Sequence, residues 1–331
     1  MKETGTEAAA RTPLLELIDV VKRFDTGAGT VHALNGVSFR IRRGETLGLV
    51  GESGCGKSTV ARLAVGIYPP TSGSVRFDGV DIHDTTTHQH LDRAAKKARH
   101  ARMQMVFQDP FSSLNPRARI GRILEEPLIV HRRGNKRDRQ ERVAWLLERV
   151  GLKPEAAARY PHEFSGGQRQ RVGIARALAL RPDIMVCDEA VSALDVSIRA
   201  QILNLLLDLR REYQVAYLFI SHDLSIVRHM SDRVAVMYLG RIVELALRDD
   251  LWRQPCHPYT QALMSAIPSV RPGRKNGKWM RLEGDLPSPF APPPGCRFQT
   301  RCPFAEARCR SEEPLLKRVE GEHWAACHHC A

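Results

Sequence analysis

Residues 51–59 contain glycines, a lysine and hydroxyl side chains at the spacing that phosphate binding requires. They match the pattern G-x-x-x-x-G-K-[ST]. Glycines let backbone N–H groups converge on phosphate oxygens, Lys57 can reach the outer phosphates, and the Ser58 hydroxyl can bind Mg²⁺. The pattern predicts a nucleotide-binding loop made of Gly51, Glu52, Ser53, Gly54, Cys55, Gly56, Lys57, Ser58 and Thr59.

The segments on either side of this loop fit the same interpretation. Residues 45–50 form a short apolar run, which is typical of a buried strand, and residues 58–65 are typical of a helix. Strand, loop and helix in this order are the context in which the motif binds phosphate. We expect a helix to start at Lys57 and to direct its unpaired N–H groups toward the anion.

A second glycine-containing segment precedes a long helical run at residues 169–180. Helix N-termini carry unpaired N–H groups and the positive end of the helix dipole, so this segment can also receive an anion. Four such residues alone are weak support for binding. They are Ser165, Gly166, Gly167 and Gln168.

Polar side chains stand where three predicted strands end. They are Gln108 after residues 103–107, Asp188 and Glu189 after residues 184–187, and His222 after residues 216–220. A helix-capping pair at 188–189 and a surface-loop histidine at 222 are the alternatives that involve no chemistry.

The rest of the chain alternates strands and helices, as in an α/β fold. An insertion-like helical element interrupts this alternation between about residues 112 and 175. After about residue 245 the composition shifts to proline. Further strands are predicted at 14–20, 37–41 and 74–77 and a hairpin at 234–244, and further helices at 120–130, 138–150 and 196–210, with a polar, basic surface helix and loops at 84–102.

The composition is that of an ordinary globular chain, with 43% hydrophobic and 26% charged residues. A net charge of +13 permits nucleic acid or an anionic membrane as a partner. We expect solvated helix faces and no nucleic acid, because aromatic residues do not interleave with the basic ones. Residues 1–13 lack the apolar core of a secretory signal, and no segment approaches the ~20 apolar residues of a membrane span.

Taken in order, these segments resemble the ATP-binding cassette family over about residues 14–245. The chain is similar, more narrowly, to the ATPase subunits of bacterial dipeptide and oligopeptide importers. That resemblance lies in residues 107–116, 192–197, 257–263 and 286–327. Related subunits serve glutathione, nickel and antibiotic-peptide importers, so the solute is less constrained than the type of subunit.

The resemblance implies a P-loop NTPase (RecA-like) core with an antiparallel β subdomain and a helical subdomain at about 112–175. It also implies a nucleotide-binding domain at 14–245 after a flexible N-terminus at 1–13. Residues 246–331 would form an importer-type extension that ends in a cysteine-rich segment.

In this family two cassettes close head to tail around two ATP molecules. The resemblance implies that Ser58, Gln108 and Asp188 bind Mg²⁺, that Glu189 polarises the attacking water, and that His222 contacts the γ-phosphate. Residues 165–168 would complete the partner's site, Asp195 would lie at the dimer seam, and Phe24 would stack on adenine. The family commonly has proline after the glutamate, whereas this chain has Ala190, which is expected to loosen the turn.

The same resemblance implies partners. They are a second cassette subunit, identical or paralogous, two membrane permease subunits and an extracytoplasmic solute-binding protein. The protein would then lie at the cytoplasmic face of the cell membrane.

Four cysteines near the C-terminus, Cys296, Cys302, Cys309 and Cys327, do not have the two-residue spacing of a zinc knuckle. They resemble the tail of dipeptide-importer ATPases, which implies a four-iron four-sulfur cluster with these thiolates as ligands. The alternatives are zinc bound by some of them with His323, His328 or Cys330, and unliganded or disulfide-bonded thiols. Cys55 and Cys187 are expected to be small core residues.

Two other functions stay open at this point. A soluble cassette ATPase acting on ribosomes or DNA usually fuses two cassettes or inserts a long coiled coil, and this chain has neither. A metal-dependent redox sensor that merely retains the cassette would need a broken active site, yet Lys57, Glu189 and His222 are present.

Overall fold

The computed structural model describes residues 12–83, 93–109, 113–192, 194–266 and 284–330. The flexible N-terminus expected at 1–13 lies outside the described residues except for its last two positions. So do residues 84–92 of the polar segment, residues 110–112 of the 107–116 motif, Ala193, and residues 267–283 of the extension.

The strands of the described residues follow the chain in this order: β1 Pro13–Thr26, β2 Gly29–Arg42, β3 Thr46–Val50, β4 Ser72–Phe77, β5 Val80–Asp81, β6 Met103–Val106, β7 Ile184–Asp188, β8 Ala216–Ile220, β9 Arg233–Tyr238, β10 Arg241–Leu247, β11 Lys317–Glu320 and β12 His323–Ala325.

The helices are α1 Lys57–Ala64, α2 Arg93–Arg102, α3 Ile120–Val130, α4 Lys136–Arg149, α5 Gly166–Leu178, α6 Val196–Tyr213, α7 Leu224–Met230, α8 Arg248–Arg253, α9 Pro258–Ser265 and α10 Ala307–Ser311. Short 3₁₀ turns lie at Pro154–Ala158 and Pro161–Glu163.

The described residues fall into two compact units. The first comprises those within Met1–Thr12, Arg42–Glu45 and Asp84–Leu218, and the second those within Pro13–Ile41, Thr46–His83 and Phe219–Ala331. The chain passes from one unit to the other several times, so neither unit is a continuous segment.

The second unit is built on two sheets. One has the strand order β2-β1-β4-β5, with β1 and β4 antiparallel and Leu15 opposite Phe77. In the other, β3 runs parallel to β9, and β9, β10, β12 and β11 follow as antiparallel neighbours. The predicted hairpin at 234–244 is confirmed as β9 and β10, whose register places Arg241 opposite Tyr238.

The first unit combines parallel strands with helices. Strand β6 pairs parallel with β7, so that Met103 lies opposite Ile184. Every residue of β7 is buried, as expected for a parallel strand covered on both faces. Helices α3, α4 and α5 and the two 3₁₀ turns follow one another between β6 and β7, and the helical subdomain at about 112–175 stays a prediction.

Element boundaries differ from the predictions where a cap or a strand partner decides them. Helix α4 starts at Lys136 because Asn135 and Asp138 form a reciprocal capping box before the first apolar position. Strands β1 and β2 extend beyond the apolar runs at 14–20 and 37–41. Pairing between strands can keep polar residues extended without burying them.

Within the part of the chain that the structure describes, the helices are too short or too polar for any of them to span a bilayer.

Candidate nucleotide site

The predicted phosphate loop connects β3 to α1 in the second unit. Gly56 caps α1 with a φ of 108°, a conformation that favours glycine. A Cβ at Gly51 would lie 2.2 Å from the carbonyl oxygen of Met237, so a larger residue would clash with the backbone. Because glycine has no side chain with which to cap the helix, the first N–H groups of α1 are suited to bind an anion.

Lys57 lies at the start of α1 and is 5% exposed. Its Nζ donates to the carbonyl oxygens of Gly51 at 2.7 Å and Glu52 at 2.8 Å. The ammonium group is therefore fixed over the first turn of the loop. Phosphate oxygens are anionic and so accept from an ammonium more strongly than carbonyl groups do.

Two of the cysteines are core residues, as the sequence suggested. Cys55 and Cys187 are 1% and 0% exposed. Burial raises the pKa of both thiols, that of Cys187 to about 12. These thiols stay protonated at neutral pH and serve as small packing groups.

Phe24, the predicted adenine platform, lies on β1 and is partly buried. It contacts Tyr68 edge to face, with 5.5 Å between the ring centroids, and the Lys22 ammonium lies 5.0 Å from the Phe24 centroid. This arrangement fixes the ring while part of it stays accessible. Its role toward adenine stays a prediction.

The second glycine-containing segment lies at the N-terminus of α5, in the first unit. Ser165 is the N-cap: its Oγ accepts from the Gln168 N–H at 3.3 Å, and Gln168 Oε1 accepts from the Ser165 N–H at 3.0 Å. A Cβ at Gly167 would lie 2.3 Å from Cγ2 of Ile198 on α6. Gly167 therefore serves close packing between helices, while Ser165 is exposed at the surface.

The first unit also brings Gln108 and Glu189 together. Gln108 Nε2 donates to Glu189 Oε2 at 3.0 Å. Asp188, the last residue of β7, is 4% exposed, whereas Glu189 is only partly buried. The buried carboxylate of Asp188 is suited to interact with a metal ion. The more accessible carboxylate of Glu189 is suited to hold a water molecule.

The turn after β7 is held by hydrogen bonds, although position 190 is alanine. Glu189 has a φ of 47°, in the left-handed region, and such a residue is strained by about 1–2 kcal/mol. The Ser192 hydroxyl donates to the Glu189 carbonyl oxygen at 2.9 Å, and the Ser192 N–H reaches the same oxygen at 3.1 Å. These two bonds hold the turn without the proline that the family commonly has.

His222 follows β8 in the second unit and is exposed. The next residue, Asp223, caps α7 by accepting from the N–H groups of Ser225 at 2.9 Å and Ile226 at 3.3 Å. Ser221 Oγ accepts from the Asp223 N–H at 3.0 Å. Hydrogen bonds therefore hold both neighbours of His222, Ser221 and Asp223, in place.

Asp195 lies at the N-cap of α6 in the first unit, and its side chain is exposed. The following residue, Val196, is 79% exposed. An acid and an apolar side chain exposed at one helix start are available for contact with another protein.

The four predicted cluster ligands, Cys296, Cys302, Cys309 and Cys327, all belong to the second unit. The Cys296 N–H donates to the Cys309 carbonyl oxygen at 2.8 Å. Burial, followed by the charges that the thiols of Cys309, Cys327 and Cys302 can carry, raises the pKa of Cys296 to about 11. A cation bound among these sulfurs would relieve that repulsion.

Cys330, which falls outside the four-cysteine pattern, hydrogen-bonds with Cys327. This bond is the main reason why the pKa of the Cys327 thiol is lowered. The histidines considered for a zinc site have other partners. His323 Nε2 lies 2.7 Å from Glu244 Oε1, and His328 Nε2 lies 3.0 Å from the Glu312 carbonyl oxygen.

Two side chains that the sequence did not single out reach the phosphate loop. Tyr259 Oη accepts from the Glu52 N–H at 3.0 Å, and Arg301 pairs with the Glu52 carboxylate at 2.9 Å. Tyr259 lies in the segment 257–263 and Arg301 directly precedes Cys302. The only sequence signal for Tyr259 and Arg301 is that each lies in a segment that carries the family resemblance.

Comparison with known proteins gives two family matches. Residues 34–192 match the ABC transporter family, and residues 243–309 match the C-terminal region of oligopeptide/dipeptide transporters. The first match contains the phosphate loop and Glu189, and the second contains Tyr259, Arg301 and three of the four clustered cysteines.

Among similar proteins is the oligopeptide transport ATP-binding protein AppF of Bacillus subtilis, 51% identical over 97% of this chain and 98% of the relative. The dipeptide transport ATP-binding protein DppF of Escherichia coli is 49% identical over 96% of this chain and 94% of its own. A solved dimeric structure of the ATP-binding cassette MJ0796 bound to ADP and Pi superimposes with a TM-score of 0.63 at 30% identity, covering 71% of this chain and 98% of that one.

Proposed function

This chain belongs to the ABC transporter family, among the ATP-binding proteins of oligopeptide and dipeptide transporters, and we propose that it powers the import of di- or oligopeptides. It is an ATPase of the cassette type. The near-complete alignment with peptide-transport subunits is the observation that carries the choice of solute. Nickel and glutathione are the alternative solutes.

In the proposed mechanism the loop N–H groups and Lys57 bind the phosphates of ATP. Ser58, Asp188 and Gln108 would hold Mg²⁺, which neutralises charge on the transferred phosphoryl group. Glu189 would orient and polarise the attacking water, and His222 would contact the γ-phosphate. The hydrogen bond between Gln108 and Glu189 supports this proposal, since it places the amide beside the carboxylate that would hold the water.

We propose that the site is completed by a second cassette, identical or paralogous. The exposed Ser165 at the start of α5 and the exposed Asp195 and Val196 at the start of α6 support an interface on that face of the first unit. The N-terminus of α5 would then receive the γ-phosphate bound by the partner's loop. The dimeric state of the structurally similar cassette MJ0796 agrees with this arrangement.

Two membrane permease subunits and an extracytoplasmic solute-binding protein are the further proposed partners. The chain would lie at the cytoplasmic face of the cell membrane, attached through the permeases. The loop after Gln108 would transmit the nucleotide state to them. For the chain itself we propose a flexible N-terminus at 1–13, a nucleotide-binding domain at 14–245 with its helical part at about 112–175, and an importer-type extension at 246–331.

We propose further that Cys296, Cys302, Cys309 and Cys327 hold a four-iron four-sulfur cluster. Thiolates are the usual ligands of such clusters, which supply one-electron redox chemistry or a covalent cross-link between segments. The chemistry of the donors supports this proposal, because all four are cysteines of the second unit and the charges that Cys302, Cys309 and Cys327 can carry help to raise the pKa of Cys296. Among the described residues, the close ligand groups are Glu244–Cys256–His323 and Glu306–Cys309–His329, with one thiol each.

The test is turnover in the complete transporter, assembled with its permeases in vesicles. Glu189→Gln should lower peptide-stimulated ATP hydrolysis by about 100-fold or more, while Mg-ATP still binds. Glu141→Gln, whose side chain is 65% exposed on α4, should turn over like the wild type. A wild-type complex that hydrolyses ATP without stimulation by any peptide would contradict peptide import, and full activity of Glu189→Gln would contradict the catalytic role.

A further inference from the structure

Glu52, the second residue of the phosphate loop, forms an ion pair with Arg301 of the C-terminal region. Arg301 Nη1 lies 3.1 Å from Glu52 Oε1 and 2.9 Å from Oε2. The Arg301 side chain is 6% exposed and that of Glu52 is 25% exposed. Exposed pairs contribute little to stability, but a pair this well shielded from water has a stronger electrostatic effect on its surroundings.

The backbone of Glu52 is fixed as well. Its N–H donates to Tyr259 Oη at 3.0 Å, and its carbonyl oxygen accepts from Lys57 Nζ at 2.8 Å. One residue therefore joins two side chains of the C-terminal region to the lysine that would bind phosphate.

The groups that hold Glu52 are themselves rigidly placed. Tyr238, Tyr259 and Phe298 are almost fully buried and pack against one another, with ring centroids 4.7–5.4 Å apart. The backbone N–H of Arg301 donates to the Phe298 carbonyl oxygen at 3.0 Å. This aromatic cluster connects the position of Arg301 to the core of the second unit.

The negative charge of Glu52 is unfavourable in a loop that binds phosphate. Residues 51–59 contain one acid, Glu52, and one base, Lys57. An unpaired carboxylate beside a phosphate site repels ATP, whose phosphates carry several negative charges. A neutralised carboxylate does not.

We infer that Arg301 is a positioning residue for ATP binding: it neutralises Glu52 and fixes the first turn of the phosphate loop. The C-terminal region is thereby part of the nucleotide site. This inference rests on the proposed ATP site and adds to it a residue outside the cassette motifs. It also places a determinant of ATP affinity one residue from Cys302, a proposed cluster ligand.

The test measures the Kd for Mg-ATP of the full chain, with a fluorescent ATP analogue and by calorimetry, in single and double variants. Arg301→Gln should raise the Kd about tenfold, because it leaves Glu52 charged and unpaired. Glu52→Gln should change the Kd only slightly, and the double variant Glu52→Gln/Arg301→Gln should recover most of the lost affinity. Arg301→Lys should retain much of it. At saturating ATP, kcat of the assembled transporter should change less than the KM for ATP.

The matched control is Arg308→Gln in the same region. Arg308 forms an ion pair with Glu312 at 2.9 Å, with both side chains more than half exposed, and its loss should leave the Kd unchanged. Equal affinity of Arg301→Gln and wild type would overturn the inference. So would a double variant as weak as Arg301→Gln, since that result indicates a purely structural role. A wild-type chain that does not bind Mg-ATP would instead overturn the proposed function.

Discussion

The N-termini of α1 and α5 are both rich in glycine and both suited to anions, yet they are built differently. At α1, Gly56 provides no side-chain cap, Lys57 is buried, and the preceding turn is held by Tyr259 and Arg301. At α5, Ser165 and Gln168 cap the helix with their own side chains, and Ser165 is exposed.

The difference indicates which of the two helix N-termini can bind an anion without a second protein. A loop whose conformation is fixed before binding loses little entropy when the ligand arrives. The α1 end has that property, whereas the α5 end satisfies its own groups and faces outward. Nucleotide binding should therefore depend on the α1 end in the single chain, and the α5 end should matter after assembly.

Lys57→Ala is the change with the largest expected effect. It removes the buried ammonium at the α1 end, and we expect the Kd for Mg-ATP of the single chain to rise by about 100-fold or more. The exposed residue Lys317 on β11 gives the control Lys317→Ala. Retained affinity in Lys57→Ala, measured by calorimetry, would remove the distinction between the two helix starts.

A fall in pH should destabilise the segment around Tyr259, which supports the N-terminus of α1. His257 caps α9, since its Nδ1 accepts from the Tyr259 N–H at 3.0 Å, and burial lowers the pKa of His257 from 6.5 to about 4. Between these values the unfolded chain binds a proton that the folded chain does not, so the free energy of unfolding decreases as the pH falls below 6.5. At pH 5 the loss should be about 2 kcal/mol.

Urea denaturation at pH 7 and pH 5 measures this loss. His257→Asn keeps a side-chain acceptor but cannot be protonated in this range, so its pH dependence should be flatter by about that amount. The same slope in both proteins would show that other groups cause the acid sensitivity.

Gly167→Ala should have the smallest of these effects and bears on the α5 end. Its Cβ would lie 2.3 Å from Cγ2 of Ile198, so we expect the free energy of unfolding to fall by about 1–2 kcal/mol. Gly173 lies on the same helix, and a Cβ there meets nothing within 4 Å. Gly173→Ala should therefore raise stability by up to about 1 kcal/mol. Equal thermal stability of both variants would mean that α5 and α6 adjust freely.

Local patterns predicted much of the fold. The buried strands at 184–188 and 216–220 and the helix at 120–130 lie where apolar runs and helical spacing place them. The phosphate loop could be predicted because its glycines, lysine and serine are consecutive. Helix starts were less predictable, since α4 and α5 begin at polar caps, Asn135 and Ser165, in front of the apolar pattern.

The supports of the phosphate loop could not be predicted in the same way. Tyr259 and Arg301 lie 207 and 249 residues after Glu52 in the chain, and neither residue type implies such a contact. The hydrogen bond between Gln108 and Glu189, 81 residues apart in the chain, was not predicted, since the family resemblance implied only a role for each residue at the ATP site.

The sequence alone determined that this chain binds nucleotide phosphates and belongs with cassette ATPases, because short consecutive motifs carry that chemistry. Only the tertiary structure decided that Glu52 pairs with Arg301 and that the turn at Glu189 is held by Ser192. The physical reason is that ion pairs and hydrogen bonds depend on distances in space, and chain folding brings together residues whose separation in sequence contains no such information.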